Sequence, residues 1–153
     1  MINVNAAAGI YTLMCKQIVP ISIEEAWLFF IAPESCNNTT TGYAIWDNQR
    51  HEGQIITYLV SVLPRVKTKW VAEITHMYPN HYFIDEERYG PYAMWHHEHR
   101  FEVVEKGTLI LDKVSYKLPL GWLGRFFGER YVTKKLLDIF EFRSRFLLER
   151  FSR

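Results

Sequence analysis

Two histidines one residue apart, His97 and His99, stand in a stretch that reads as a β-strand, with Trp95 and Phe101 at the same spacing. Alternate side chains of a strand share a face. Trp95, His97, His99, Phe101 and Val103 therefore point one way, and Met94, His96, Glu98, Arg100 and Glu102 the other. The charges of the second set assign it to water and turn the histidines inward. In the following strand Lys113 and Lys117 choose solvent, so Asp112 and Tyr116 face inward with Ile110, Val114 and Leu118. Phe83, Asp85 and Glu87 share a face of the strand before, and Trp70, Ala72 and Ile74 share one on the strand preceding that. The expected interior is aromatic but holds His97, His99, Asp85, Asp112 and Tyr116.

Buried carboxylates and imidazoles must be paired, and this set suits several chemistries. It can be a structural hydrogen-bond network across three adjacent strands. It can orient the polar head group, a carbonyl or hydroxyl, of an apolar ligand. It can supply general acid–base catalysis, His97 or His99 with Asp85 or Asp112, as aldol cyclisation or dehydration requires. His97-x-His99 with carboxylates nearby also fits a metal ion, but that pattern on a strand is a weak signal, and no metal or other cofactor is expected. No Ser–His–Asp motif, phosphate loop or dinucleotide fingerprint is present, and Gly121, Gly124 and Gly128 lack the required spacing. His51, His76 and His81 fall at turns and are expected in solvent. Arg88 and Tyr92 flank the Gly90-Pro91 turn, at the mouth of any cavity. Trp46 and Tyr58 fit core or cavity wall equally.

The elements that must position these residues are strands in series and one long helix. Residues 1–9 read as a flexible lead-in and 10–153 as a single domain. Ile10 to Val19 is a strand. Ser22 with Glu25 three residues on is a capping box, opening a short helix from Ile23 to about Ile31, and Glu34 to Asn38 forms a second short turn of helix. Strands follow at 43–46, 54–63, 66–77, 81–89, 93–105 and 108–118, separated by Gly, Pro and Asn turns. Those connections are too short for crossover helices, so the sheet is antiparallel. From Trp122 to Phe151 there is no proline, which predicts a helix on the order of 40 Å long. Leu123, Phe126, Leu136, Leu137, Phe140, Leu147, Leu148 and Phe151 fall on its apolar face, with the small Thr133 and Ser144 in the middle. Arg143, Arg145, Arg150 and Arg153 interleave with Glu141 and Glu149 and read as a solvated face. Val132, Ile139 and Phe146 make a third, weaker stripe. The expected fold is α+β: a seven-stranded curved antiparallel sheet around a long C-terminal helix, with two short helices after the first strand.

Composition sets the outer limits. The chain has 153 residues, formal net charge +1 and 16 % aromatic residues, with five Trp, nine Tyr and ten Phe. That length suits one domain with a full core, and the aromatic excess suits an apolar pocket. Near-zero charge gives no ground for a nucleic-acid partner. Cys15 and Cys36 lack metal spacing and fit reduced thiols in the cytoplasm. No segment reaches the ~20 apolar residues of an integral membrane span, and no secretory leader is evident.

The stretch Gly90-Pro91-Tyr92-Ala93-Met94-Trp95-His96-His97-Glu98-His99-Arg100-Phe101 resembles a segment of bacterial START-like proteins of the SRPBCC, or helix-grip, superfamily. Trp70…Ile74-Thr75, Phe83…Asp85, Thr108…Asp112-Lys113-Val114…Tyr116…Leu118-Pro119…Gly121 and Phe140…Arg143 carry the resemblance along nearly the whole chain. The superfamily includes polyketide cyclases/dehydrases and coenzyme Q-binding proteins. The resemblance implies a helix-grip fold and, as partner, a hydrophobic small molecule (lipid, isoprenoid or polyketide-like) held between sheet and helix. Its expected lining is Trp70, Phe83, Asp85, Trp95, His97, His99, Asp112 and Tyr116 from the sheet, with Thr133, Leu137, Phe140 and Ser144 from the helix. The alternatives are a cyclase or dehydratase using the His/Asp cluster, and an interaction module or homodimer formed through Val132, Ile139 and Phe146.

Overall fold

The computed structural model describes residues 1–32, 43–45, 50–63 and 66–151, with the side chains of 43–45, 61–63, 66 and 121–127 not described. The strands are β1 (Ile2–Ala7), β2 (Ile10–Val19), β3 (Tyr43–Ile45), β4 (Ile55–Leu63), β5 (Val66–Tyr78), β6 (Tyr82–Tyr89), β7 (Met94–Val104) and β8 (Gly107–Lys117); the helices are α1 (Ile23–Ile31) and α2 (Gly121–Phe151). The sheet order is β1-β2-β8-β7-β6-β5-β4-β3, every neighbour antiparallel. All seven strands expected from the sequence are present in one open antiparallel sheet, with the long C-terminal helix beside it. Residues 34–38, where a second short turn of helix is expected, lie outside the described residues, as do Cys36 and Trp46 and the side chains of Leu123 and Phe126.

The lead-in expected over residues 1–9 is instead an eighth strand. Ile2–Ala7 pairs with Ile10–Cys15 through a two-residue turn in which Ala8 and Gly9 both have positive φ, 52° and 78°. Positive φ at both central positions matches the twist of a hairpin. The N-terminal ammonium donates to the Lys16 carbonyl at 2.9 Å, and the Lys16 N–H to the Met1 carbonyl at 3.0 Å. Ile2 and Val4 lean on the core while Asn3 and Asn5 face water. That alternation is only two apolar residues long and is diluted by Asn and Ala, so it reads as a polar tail.

Local chemistry accounts for the other ends. Ser22 Oγ accepts from the Glu25 N–H, and the Glu25 carboxylate accepts from the Ser22 N–H, so α1 opens on the capping box. The strand pair β7–β8 turns at Gly107, whose φ of 125° and 2.2 Å approach of a would-be Cβ to the Val19 carbonyl exclude any side chain.

Two apolar clusters form the core. One holds Val19, Trp27, Phe30, Ile56, Ile74, Phe83, Phe101, Ile110 and Leu147; the other holds Tyr11, Leu13, Trp95, Val114, Tyr116, Leu118, Leu136 and Phe140. Helix α2 contributes Leu136, Phe140 and Leu147 to them, with Leu137 and Phe151 half-buried. Leu148, expected on the covered face, is 44 % exposed; it is turned about 100° around the axis from the buried Leu147 and sits at the margin of the stripe. Arg143, expected in solvent, is only 8 % exposed. It lies one turn before Leu147, about 40° from it around the axis, and so points into the domain.

Candidate functional site

Three adjacent strands bring the four polar candidates together. Strand β7 is flanked by β6 and β8, and register sets Asp85 opposite His97 and Asp112 opposite His99. His97 is 7 %, His99 3 % and Asp112 4 % exposed, and Asp85 is mostly covered. The two imidazoles lie side by side, centroids 3.8 Å apart and planes tilted by 42°. Asp85 Oδ2 lies 3.4 Å from His97 Nδ1 and 3.3 Å from His99 Nε2. Asp112 Oδ1 lies 2.6 Å from His99 Nδ1 and 3.3 Å from His97 Nε2. The last contact is off the line of a hydrogen bond and leaves His97 Nε2 without a hydrogen-bond partner. Two carboxylates thus bracket a pair of adjacent, mutually tilted rings.

Helix α2 closes the cluster with Arg143, whose Nη2 donates to Asp112 Oδ1 at 2.7 Å and lies 3.4 Å from His99 Nδ1. Its guanidinium rests on the faces of Phe30 and Phe140, at 5.0 and 5.4 Å. Phe83 stacks on His99 at 4.1 Å, and Phe140 meets His97 edge-on at 5.9 Å. The polar group therefore lies between the two apolar clusters, with Phe83 and Phe30 on the His99 side and Trp95 and Phe140 on the His97 side.

Burial and charge set the protonation states. Burial alone raises the Asp85 carboxyl, but the facing His97 and His99 outweigh it and lower its pKa to about 2. Burial likewise opposes ionisation of Asp112, and Arg143 and His99 overcome it, holding that carboxyl well below the usual range. Burial, reinforced by His99, draws His97 down to about 4 against the pull of Asp85 and Asp112. At neutral pH both carboxylates are charged and His97 is neutral.

The remaining candidates form an aromatic end and a helix side. Trp70, half-buried, meets Trp95 at 4.7 Å and Tyr92 at 5.8 Å; Tyr92 meets Trp95 at 4.9 Å and Tyr116 at 5.8 Å. Trp95 Nε1 donates to Asp85 Oδ1 at 3.4 Å, which joins this end to the polar cluster. Tyr58 packs on Trp70. On the helix, Leu137 and Phe140 pack in the cluster of Trp95 and Tyr116. The Tyr116 and Thr133 hydroxyls hydrogen-bond at 2.9 Å, Ser144 Oγ lies 3.5 Å from Cys15 Sγ, and Gln17 Nε2 donates to the Ser144 carbonyl at 2.8 Å. Thr133 and Ser144 therefore tie helix to sheet. His51, His76 and His81 are exposed, as is Arg88, which pairs with Glu73 and Glu86. Val132, Ile139 and Phe146 are each half-buried, and Phe146 stacks on Phe29 at 6.3 Å.

Sequence reasoning missed Arg143 and undervalued Glu87 and Tyr92. Glu87 Oε1 accepts from the Tyr92 N–H at 3.1 Å, and its Oε2 is buried with no hydrogen-bond partner. Burial, only partly offset by that N–H, pushes its pKa up to about 7. A Cβ at Gly90 would lie 2.6 Å from Glu87 Oε2, so the carboxyl is tucked against the turn. The signals were there: Glu87 shares a face with Asp85, and the Gly90-Pro91 turn brings Tyr92 back over it.

No protein-family model and no curated protein matches the sequence. Solved structures do match. A Rhodobacter sphaeroides protein is 14 % identical with a TM-score of 0.67, covering 97 % of this chain and 99 % of its own. The di-domain ARO/CYC StfQ from the steffimycin biosynthetic pathway is 8 % identical with a TM-score of 0.71, over 93 % of this chain and 50 % of that one. A point mutant of Thalictrum norcoclaurine synthase, in complex with a transition-state analogue, is 12 % identical with a TM-score of 0.65, over 95 % and 99 %. The fold is the helix grip. At these identities the likeness concerns architecture, and function must be argued from the site.

Proposed function

We propose that this helix-grip domain binds a hydrophobic small molecule, a lipid, isoprenoid or polyketide-like compound, between its sheet and α2. One observation carries the reading: the inward face of β5–β8 is apolar, with Trp70, Phe83, Trp95, Phe101 and Tyr116 among its side chains, and holds the compact polar cluster Asp85, His97, His99 and Asp112. Apolar sites with a few convergent polar groups are the usual make-up of small-molecule pockets. The aromatic rings supply affinity, and the cluster holds a carbonyl or hydroxyl of the ligand. The same fold in norcoclaurine synthase holds a transition-state analogue, which supports a ligand site here. On the helix side the lining is Thr133, Leu137, Phe140 and Ser144.

The test is titration with an environment-sensitive apolar dye, alongside native mass spectrometry of the purified protein. Saturable binding is expected, and Thr133→Trp and Ser144→Trp should block it, with circular dichroism separating a filled site from a helix displaced by losing its ties to Tyr116 and Cys15. Undiminished binding in both variants would place the site elsewhere.

A second reading is a cyclase- or dehydratase-type enzyme, favoured by the unpaired Nε2 of His97 beside ionised carboxylates. A neutral imidazole held by a carboxylate is a general base. In that case Asp112→Asn leaves dye affinity intact and abolishes turnover, whereas in a carrier it weakens ligands with a polar head.

A further inference from the structure

The histidine pair makes more contacts with carboxylates than two neutral imidazoles have protons to fill. Each ring places both of its nitrogens against a carboxylate oxygen, four contacts in all. A neutral imidazole has one N–H and one lone pair. Two rings therefore satisfy two contacts and present lone pairs to carboxylate oxygens in the other two. Charging both rings fills the deficit, but it sets two cations 3.8 Å apart, beside Arg143 as a third.

We propose that Asp85, His97 and His99 form a site for a divalent first-row transition ion, Zn2+ in the first instance. The ligands are Asp85 Oδ2, His97 Nδ1 and His99 Nε2, and Asp112 Oδ1 lies behind both rings, 2.6 Å from His99 Nδ1 and 3.3 Å from His97 Nε2. This goes beyond the binding of an apolar molecule and does not depend on it.

Asp85 Oδ2 to His97 Nδ1 is 3.4 Å and to His99 Nε2 3.3 Å, long for charge-assisted hydrogen bonds of ~2.7–2.9 Å. They match the edge of a tetrahedron whose ligands stand ~2.0–2.2 Å from its centre, about 3.3–3.6 Å. The three ligand atoms all lie within 4.8 Å of one another. Behind the rings Asp112 Oδ1 lies 2.6 Å from His99 Nδ1, 2.7 Å from Arg143 Nη2 and 3.3 Å from His97 Nε2. With the His99 proton on Nδ1, 2.6 Å from Asp112 Oδ1, the Nε2 that lies in hydrogen-bond line with Asp85 Oδ2 turns a lone pair to that side. Placing the His97 proton on Nε2 does the same for its Nδ1. An ion then takes both lone pairs and removes their repulsion with Asp85. A carboxylate behind a metal-bound imidazole sets its tautomer and raises its basicity, and Arg143 holds that carboxylate in place. Two imidazoles and one carboxylate suit Zn2+ and its neighbours in the series better than Mg2+ or Ca2+. Three protein ligands leave a fourth position for water or a ligand oxygen.

The experiment is equilibrium dialysis of chelator-stripped protein against Zn2+, with Co2+ as an optical probe. The expected result is about one Zn2+ per chain and the visible absorption of tetrahedral Co2+. Asp85→Asn and His99→Gln should each abolish both signals, and Asp112→Asn should weaken binding about 10–100-fold. His96→Gln, on the outer face against Glu86, should bind as the parent does. Undiminished binding in both Asp85→Asn and His99→Gln overturns the proposal, as does parent protein that retains no ion. Should either variant fail to fold, the parent decides: Zn2+ must shift the ring resonances of His97 and His99 in the NMR spectrum, and shifts confined to His51, His76, His81 or His96 overturn the site.

Discussion

Arg143 and Asp112 are both buried, and the 2.7 Å contact between them is the charged link from α2 to the sheet among the described residues. Removing one member of such a pair strands the other charge. Arg143→Leu is expected to cost about 3–5 kcal/mol in urea unfolding, and adding Asp112→Leu should recover much of that loss. Equal stability of the single variant and the parent would contradict the buried pair. Glu87 makes a different prediction, about pH. Its folded pKa is raised to about 7, chiefly by burial, so the folded state favours the protonated carboxyl. Its contribution to stability is complete below the ordinary value near 4.5 and is lost as pH rises through 7. Chelator-treated parent protein should therefore lose stability between pH 5 and 7.5 relative to Glu87→Gln, with the two curves converging in acid; parallel curves would show that Glu87 is not held protonated. Residue reading succeeded where alternation decides: His97, His99, Asp85 and Asp112 met as expected because lysines and glutamates fixed the opposite faces. It failed at Arg143 because net charge along a helix was read in place of angle, and the angle places Arg143 beside Leu136 and Leu147.

At the scale of elements, α2 is anchored by apolar side chains and by a few hydrogen bonds. Phe140 sits between the polar cluster and Leu136, so Phe140→Ala should cost about 3–5 kcal/mol in a thermal or urea melt. An unshifted melt would mean that the helix does not rest on the sheet there. The β7–β8 turn is set by backbone, since Gly107 combines a positive φ with a 2.2 Å approach to the Val19 carbonyl. Gly107→Ala should destabilise the domain although no contact is removed. The strands from β2 to β8 and both described helices were legible because their signals are local: a capping box at Ser22, Gly and Pro turns, and a helix without proline. Strand β1 was not legible, because an edge strand needs only one covered face, and Ile2 and Val4 alone supply it. Its pairing to β2 came from the φ values of Ala8 and Gly9, which the letters Ala-Gly signal weakly.

At the scale of the whole molecule, the core among the described residues falls into two halves, with the side chains of Asp85, His97, His99, Asp112 and Arg143 between them. A continuous apolar core would be the simpler solution for a domain of 153 residues. Ionisable groups buried as Asp112, His97, His99 and Arg143 are must shed water, and their mutual attraction only about restores what that costs. If the cluster exists to hold the fold together, replacing it should be ruinous. If it exists to hold a ligand or an ion, the fold should survive its removal, because Phe83, Phe101 and Ile110 on one side and Trp95, Val114 and Phe140 on the other can meet across filled space. The variant that decides is Asp85→Leu, His97→Leu, His99→Phe, Asp112→Leu and Arg143→Met together, which exchanges charge for apolar volume at all five positions. Such replacements of buried ionic groups are often neutral or stabilising by about 1–4 kcal/mol. The expected outcome is cooperative unfolding at or above the parent's midpoint, with Zn2+ binding lost and ligands with a polar head no longer distinguished from hydrocarbons. A variant that stays unfolded, or that melts far below the parent with a broad transition, would show that the polar seam is part of what specifies the fold.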